Sequence, residues 1–397
     1  MGVQIPITQT FLLPDGREVI METGKLAAQA HGSAMIRLGD TMLLATVVSN
    51  KEAKEGQPFF PLSVDYQEKF ASVGRVPGNF FRRETRLSDY EILISRLVDR
   101  AVRPLFPDGY MNETQIIINL ISADKDIMPD ALAALAASTA LSVSDIPWDG
   151  PISEVRVARI DGQFVVNPGR EALATADLDV IIAATIKDIM MVEGEANECS
   201  EHDLIEAIRI GHEAIKVQCQ AQLDLAKKVG AKATQKRVLA EAPSDDDLKK
   251  VIDQFSRQRI LEISKGALEK SVRKEGFDTI KKELVAKLTE EKGEEYMKEK
   301  AALLDMYYEK LKKDVIRNFV IDTGMRIDGR KTNEVRPIWI EVDYLPTTHG
   351  SAVFTRGETQ SLTSLTLGTK NDEQLLDNAL DYRYEKFILH YNFPAFS

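Results

Sequence analysis

A four-residue string that returns 318 positions later constrains this chain more than any other feature. His31-Gly32-Ser33-Ala34 recurs as His349-Gly350-Ser351-Ala352, and at the same offset Gly39, Asp40 and Thr41 recur as Gly357, Glu358 and Thr359. Without a gap, seven of 18 positions are identical between residues 31–48 and 349–366. A chance tetrapeptide would not carry its Gly and Thr along inside a matching apolar hairpin, so the chain reads as a domain, a spacer and the start of the same domain again. Its 397 residues exceed what one core sustains, which leaves room for that arrangement.

Local patterns fill in the first copy. Residues 4–48 read as strands punctuated by Pro14-Asp15-Gly16, Gly24 and Gly39-Asp40, with an apolar hairpin across the last of these. An apolar strand over 115–121 precedes 130–143, so rich in Ala and Leu that a buried helix is expected. Hairpins follow at 155–166, turned at Asp161-Gly162, and at 180–192, turned at Lys187-Asp188, and Ser200 opens a helix to about Val229. Antiparallel strands with a few packed helices define an α+β domain over residues 1–230. Residues 231–318 change to Lys, Glu, Ala and Leu and predict a separate all-helical domain, capped at Ser244, broken at Gly266, Gly276 and Gly293, and closed by a long helix over 296–319. Its charges read as a solvated surface. Residues 319–397 are the beginning of the second copy.

Charge singles out residues 75–107. Seven arginines (75, 82, 83, 86, 96, 100 and 103) stand against Glu84, Asp89, Glu91 and Asp99, a local balance of +3 in a chain of net charge -11. Ser88 with Glu91 three residues on is a capping box, so a helix is predicted over 89–103, stopped by Pro104. Arg96, Arg100 and Arg103 share one face of it, and Ile92, Leu93, Leu97, Val98, Ala101 and Val102 are expected to bury the others. Phe80, Phe81, Arg82 and Arg83 pair aromatic rings with guanidinium groups, which suits single-stranded nucleic acid: bases stack while the cations hold phosphates. An ion-paired buried helix beside a solvated loop explains the same residues equally well.

Other chemistries are thinly represented. Cys199 and Cys219 are the only cysteines, no run is long enough to span a bilayer, and the N-terminus lacks the order of a signal peptide, so a cytoplasmic protein without a membrane partner is expected. Walker A, zincin and nucleophile-elbow motifs are absent. The five histidines are scattered, and Glu193 with Glu195 at a strand end is more simply a solvated pair than a metal site.

Gly324-Met-Arg-Ile-Asp-Gly-Arg330, followed by Val335-Arg-Pro-Ile338, resembles the opening signature of the ribonuclease PH family of phosphorolytic exoribonucleases. Phe80-Phe-Arg-Arg83 with Arg96-Leu-Val-Asp-Arg-Ala-Val-Arg-Pro-Leu-Phe106, Met191-Val-Glu-Gly-Glu-Ala-Asn197 and His390-Tyr-Asn-Phe-Pro394 are similar to the duplicated bacterial members of that family. The resemblance covers the whole chain. It implies a duplicated ribonuclease PH-type domain joined by an all-helical linker, and Mg2+-dependent 3'-to-5' phosphorolysis of RNA to nucleoside diphosphates, with inorganic phosphate as co-substrate and polymerisation as the reverse. It also implies a homotrimer whose channel entrance is lined by Phe80, Phe81, Arg82, Arg83 and Arg86, with Arg96, Arg100 and Arg103 along the RNA path, in an RNA-degrading assembly with an endonuclease or helicase. The family's carboxylates and lysine are expected around residues 177–182. There Asp177 and Asp179 remain, but Ile181 stands in place of the lysine and Leu173 in place of the other key aspartate. Asp179 is therefore expected to be structural or vestigial, with catalytic and metal-binding groups expected beyond Ser397 and none in this chain. At the repeat offset Phe80 maps onto position 398, just past the last residue. The alternative reading is a non-catalytic RNA-binding or scaffold part of the ring.

Overall fold

The computed structural model describes residues 5–54, 57, 59–78, 82–84, 86–239 and 244–396. It contains two compact units, one of residues 1–240 with 373–397, the other of residues 241–372.

In the first unit, β1 (Ile7–Leu12), β2 (Glu18–Thr23), β3 (Gly32–Leu38), β4 (Thr41–Ser49), β5 (Leu62–Glu68) and β6 (Thr114–Ser122) form a sheet in the order β1-β2-β3-β4-β6-β5. Its pairs are antiparallel except β5 with β6. Helix α1 (Asp89–Val102) packs on β5, and α2 (Asp130–Ser142), buried along its entire length, packs on β3 and β4 on one side and on β7 (Ile152–Ile160) on the other. With β8 (Gln163–Val166), β9 (Leu178–Thr185) and β10 (Ile189–Ala196), β7 forms a second sheet in the order β10-β9-β7-β8; the short α3 (Arg170–Leu173) precedes β9. The 29-residue α4 (Glu201–Val229) covers β7 and β9. A helix so dominated by Ala and Leu makes sense in this central layer, where no face of it meets water.

Past the one-turn α5 (Ala231–Thr234), Lys236 reaches back to cap α2, its Nζ donating to the carbonyl of Ser144 at 2.7 Å.

In the second unit α6 (Asp246–Lys265), α7 (Lys270–Lys292) and α8 (Glu294–Thr323) enclose a core around Ile252, Ile260, Leu284 and Tyr308. Two expectations change. The cap is Asp245, whose Oδ1 accepts from the Leu248 backbone at 2.9 Å, one residue after Ser244. Gly276 lies inside α7: a Cβ there would stand 2.8 Å from Ile263 Cδ1, so the glycine lets α7 approach α6. Strands β11 (Ile338–Val342), β12 (Gly350–Arg356) and β13 (Thr359–Leu365) follow in that order in one sheet. The hairpin of β14 (Gln374–Asp377) and β15 (Tyr382–Glu385) belongs to the first unit.

The repeat survives in three dimensions. Gly32 lies opposite Val47 across β3 and β4, and Gly350 lies opposite Leu365 across β12 and β13, the same register displaced by 318. His31 Nδ1 accepts the backbone N–H of Ser49 at 3.1 Å, and His349 Nδ1 accepts that of Leu367 at 2.8 Å, again 318 apart. Each histidine ties its own hairpin shut. That bond, rather than ligation, explains why the residue recurs.

Candidate RNA-contacting loop and carboxylate pocket

The capping box forms as the spacing predicts. Ser88 Oγ accepts from the Glu91 backbone at 3.2 Å and Glu91 Oε2 accepts from the Ser88 backbone at 2.7 Å. The other oxygen, Oε1, accepts from the Glu68 backbone at 2.7 Å, so the start of α1 is fastened to the end of β5. Leu97, Val98, Ala101 and Val102 are buried as expected, and Ile94 is buried with them, but Ile92 and Leu93 are 45% and 47% exposed. Only one stripe of α1 faces β5 and α2, and Ile92 and Leu93 lie on the outer side with Arg96 and Arg100.

Phe80 and Phe81 lie outside the described residues. Arg82, Arg83 and Arg86 are all exposed. Arg82 has a left-handed backbone, φ 52°, and its Nη1 donates to the Pro77 carbonyl at 3.0 Å. Exposed Arg86 and Arg96 have no hydrogen bond or ion pair among the described residues. Arg100 meets Glu193 of β10 at 2.6 Å, a half-exposed pair worth little to stability. Arg103 is engaged by the fold: it grips both oxygens of Asp99 at 2.6 and 2.9 Å, and donates to the carbonyls of Phe60 and Leu62 at 3.1 Å each.

Leu173, Asp177 and Asp179 come together in a cavity of about 410 Å³, lined also by Arg170, Glu195 and Asn197. Two of its three carboxylates are paired with arginines. Asp177 takes two hydrogen bonds from Arg159, at 2.8 and 2.9 Å, and the guanidinium holds its carboxyl below the ordinary range. Arg159 also reaches Asp203 at 2.8 Å. Asp179 pairs with Arg156, whose other nitrogen pairs with the fully buried Asp130. Burial raises the Asp179 carboxyl against the pull of Arg156, and its Oδ1 is buried without a partner. Glu195 faces Asp179 across the β9–β10 pair, while Glu193 is held by Arg100. Ile181 is buried in the core beside Ala183.

This donor set does not fit Mg2+. The ion needs several oxygens free to enter an octahedral shell, whereas both oxygens of Asp177 and one of Asp179 are committed to arginines. Among the described residues no group of three or more His, Cys, Asp or Glu could hold a metal. Sequence reasoning missed Asp130, Glu154, Arg156 and Arg159. Glu154, Arg156 and Arg159 inside a largely apolar strand were the available signal, because a charge on a buried strand must find a counter-charge.

Residues 15–147 and again 334–397 match the family described as "3' exoribonuclease family, domain 1", residues 150–214 match domain 2 of that family, and residues 247–331 match "Polyribonucleotide nucleotidyltransferase, RNA binding domain". The chain belongs to the 3' exoribonuclease family, with the α+β domain present twice and the helices between. Its similar curated relatives carry the name polyribonucleotide nucleotidyltransferase. That of Phocaeicola vulgatus is 55% identical over 99% of this chain and 54% of the relative, that of Porphyromonas gingivalis 53% identical over 98% and 52%, and that of Cytophaga hutchinsonii 52% identical over 98% and 54%. The chain thus spans about half the length of the curated relatives it matches. Among solved structures, an Archaeoglobus fulgidus exosome with RNA bound to the active site gives a TM-score of 0.41 at 18% identity, over 51% of this chain and 89% of that one. No helix among the described residues is long and apolar enough to cross a membrane.

Proposed function

We propose that this chain is part of a phosphate-dependent 3'-to-5' exoribonuclease of the polyribonucleotide nucleotidyltransferase type, and that its first domain copy grips single-stranded RNA without carrying out the chemistry. The observation behind the second half is the state of the carboxylates: Asp177 and Asp179 each belong to an internal arginine, and Ile181 fills the core where a lysine would have to project. On this reading inorganic phosphate attacks the terminal phosphodiester, the 3'-oxygen of the preceding nucleotide leaves, and a nucleoside diphosphate is released. Arg82, Arg83 and Arg86, with Phe80 and Phe81, are the proposed grip, and exposed Arg96 extends it along α1. Arg100 and Arg103 have weaker claims to RNA, because each would first have to give up a carboxylate. A homotrimer, a cytoplasmic location, an RNA-degrading assembly and Mg2+ held by residues other than those of the first-copy cavity complete the proposal.

The test is release of nucleoside diphosphates from poly(A) by the full-length protein. Asp179→Asn keeps one acceptor for Arg156 and is expected to leave the phosphate-dependent rate within about twofold, since it removes no group that touches the reaction. A loss of a hundredfold or more in folded protein would return Asp179 to the catalytic machinery and overturn the reading.

A further inference from the structure

Arg75 stands apart from the other arginines of its segment. Its Nη2 meets Asp377 Oδ1 at 2.6 Å, and its Nη1 donates to the carbonyls of Asn378 at 2.8 Å and Ala379 at 3.2 Å. The guanidinium also lies over the Phe70 ring, 5.4 Å from its centre, and within 6.0 Å of the Tyr382 ring. Apart from Phe70, these partners belong to the β14–β15 hairpin, whose turn is closed by Asn378 N–H donating to the Asp381 carbonyl at 2.8 Å. The turn is seated: Ala379 is buried and Leu380 packs against the main core. Gly78 lies against the same carboxylate, and a Cβ on it would overlap Asp377. One residue earlier, the Pro77 carbonyl receives the Arg82 side chain.

We propose that the β14–β15 hairpin, contributed by the second copy of the repeat, positions the arginine loop of the first copy for RNA, with Arg75 and Gly78 as its points of attachment and Arg75 not itself a phosphate contact. The proposal rests on the RNA-gripping reading of that loop and deepens it. The loop is fastened at its far end by the Ser88–Glu91 box; Arg75 and Gly78 fasten the near end. With both ends held, Arg82 and Arg83 are presented over a smaller range of positions, and RNA binding loses less ordering entropy. With one end released the competent arrangement is populated less, and the apparent affinity falls by the same fraction. Arg75 is a poor candidate for direct contact, because both of its terminal nitrogens are already engaged, one by a carboxylate and the other by two carbonyls, and a phosphate would have to compete with them.

The test is binding of a fluorescent single-stranded oligo(A) by the full chain over a range of salt, with three variants. Asp377→Ala removes the anchor and a negative charge. Gly78→Ala inserts a methyl where the carboxylate sits and changes no charge. Arg82→Ala with Arg83→Ala removes the proposed phosphate contacts. Asp377→Ala and Gly78→Ala are each expected to weaken binding about tenfold without changing the salt slope, because neither deletes a phosphate contact, whereas the double arginine variant weakens binding and flattens the slope. Trypsin cleavage after Arg82 and Arg83 should quicken in Asp377→Ala, which gives a readout on folded protein even where binding is too weak to fit. Tighter binding by Asp377→Ala would mean that freeing Arg75 supplies a phosphate contact, and it overturns the proposal. So would unchanged binding and cleavage in both single variants while the double variant is impaired, which leaves the grip standing. Unchanged binding in all three removes the grip and this inference with it.

Discussion

Glu154→Gln should make the first unit more stable above pH 8 and flatten its pH dependence. Glu154 lies on β7 with no exposed surface, and neither carboxyl oxygen has a hydrogen-bond partner. Burial, reinforced by the nearby Asp130, pushes its carboxyl up from 4.5 to about 8, against the opposing pull of Arg156. Arg156 cannot neutralise it as well, because both of its terminal nitrogens are taken by Asp130 and Asp179. The folded chain therefore holds a proton that the unfolded chain releases. Below pH 4.5 both states are protonated and the contribution is fully present; it is lost progressively as pH rises to about 8 and stays lost above. At about 1.36 kcal/mol per pH unit the full span is on the order of 5 kcal/mol, of which about 4 kcal/mol falls between pH 5 and 8. Glutamine cannot ionise, so its cost does not change with pH. Glu68, pushed up to about 7 chiefly by burial, adds a slope of the same sign, but to both proteins alike. Urea unfolding followed by the buried Trp148, in a background where the exposed Trp339 is replaced by Phe, isolates the unit in question. The stability difference between variant and parent should move by about 4 kcal/mol in favour of the variant from pH 5 to 9. Parallel curves would show that Glu154 ionises in place with full compensation, and would refute the argument.

Two further substitutions test the packing. Gly32→Ala drives a Cβ into the carbonyl oxygen of Ala140 on α2, a backbone atom that cannot swing aside, and should cost about 3 kcal/mol in the Trp148 measurement; Gly350→Ala, in the equivalent position of the second copy, meets only Leu365 at 3.5 Å and should change the stability of its own unit by less than about 0.5 kcal/mol when urea unfolding is followed by Trp339 with Trp148 replaced by Phe. Arg156→Met leaves Asp130 buried without its counter-charge and should cost about 3–5 kcal/mol, a loss that adding Asp130→Asn should partly restore; a single-variant loss under about 1 kcal/mol would remove the triad from the account of the fold.

The elements were legible because their signals are local. Turn residues, the period of the apolar positions and the Ser88–Glu91 spacing each act within a few residues, and the hairpins, α1, α2 and α4 formed where those signals put them. Asp245 displaced Ser244 as a cap by a single residue, which local chemistry alone does not resolve. Gly276 was misjudged as a break because its reason is the approach of a neighbouring helix, not its own backbone. Ile92 and Leu93 were misplaced because a helix pattern states which residues share a face and leaves open which faces are covered.

By itself the sequence determined the duplication, the α+β domains with helices between, and the gathering of cations around residues 75–103. Tertiary structure decided what those cations and the acids near them do. Beyond its local pair with Asp99, Arg103 is engaged by backbone near β5, Arg100 by Glu193, and Arg75 by a carboxylate 302 positions away, while Asp177 and Asp179 are taken by Arg159 and Arg156. The reason is physical: whether a charge is free to meet a ligand depends on which opposite charge the fold brings within about 4 Å of it, and that distance is set by packing between elements far apart along the chain.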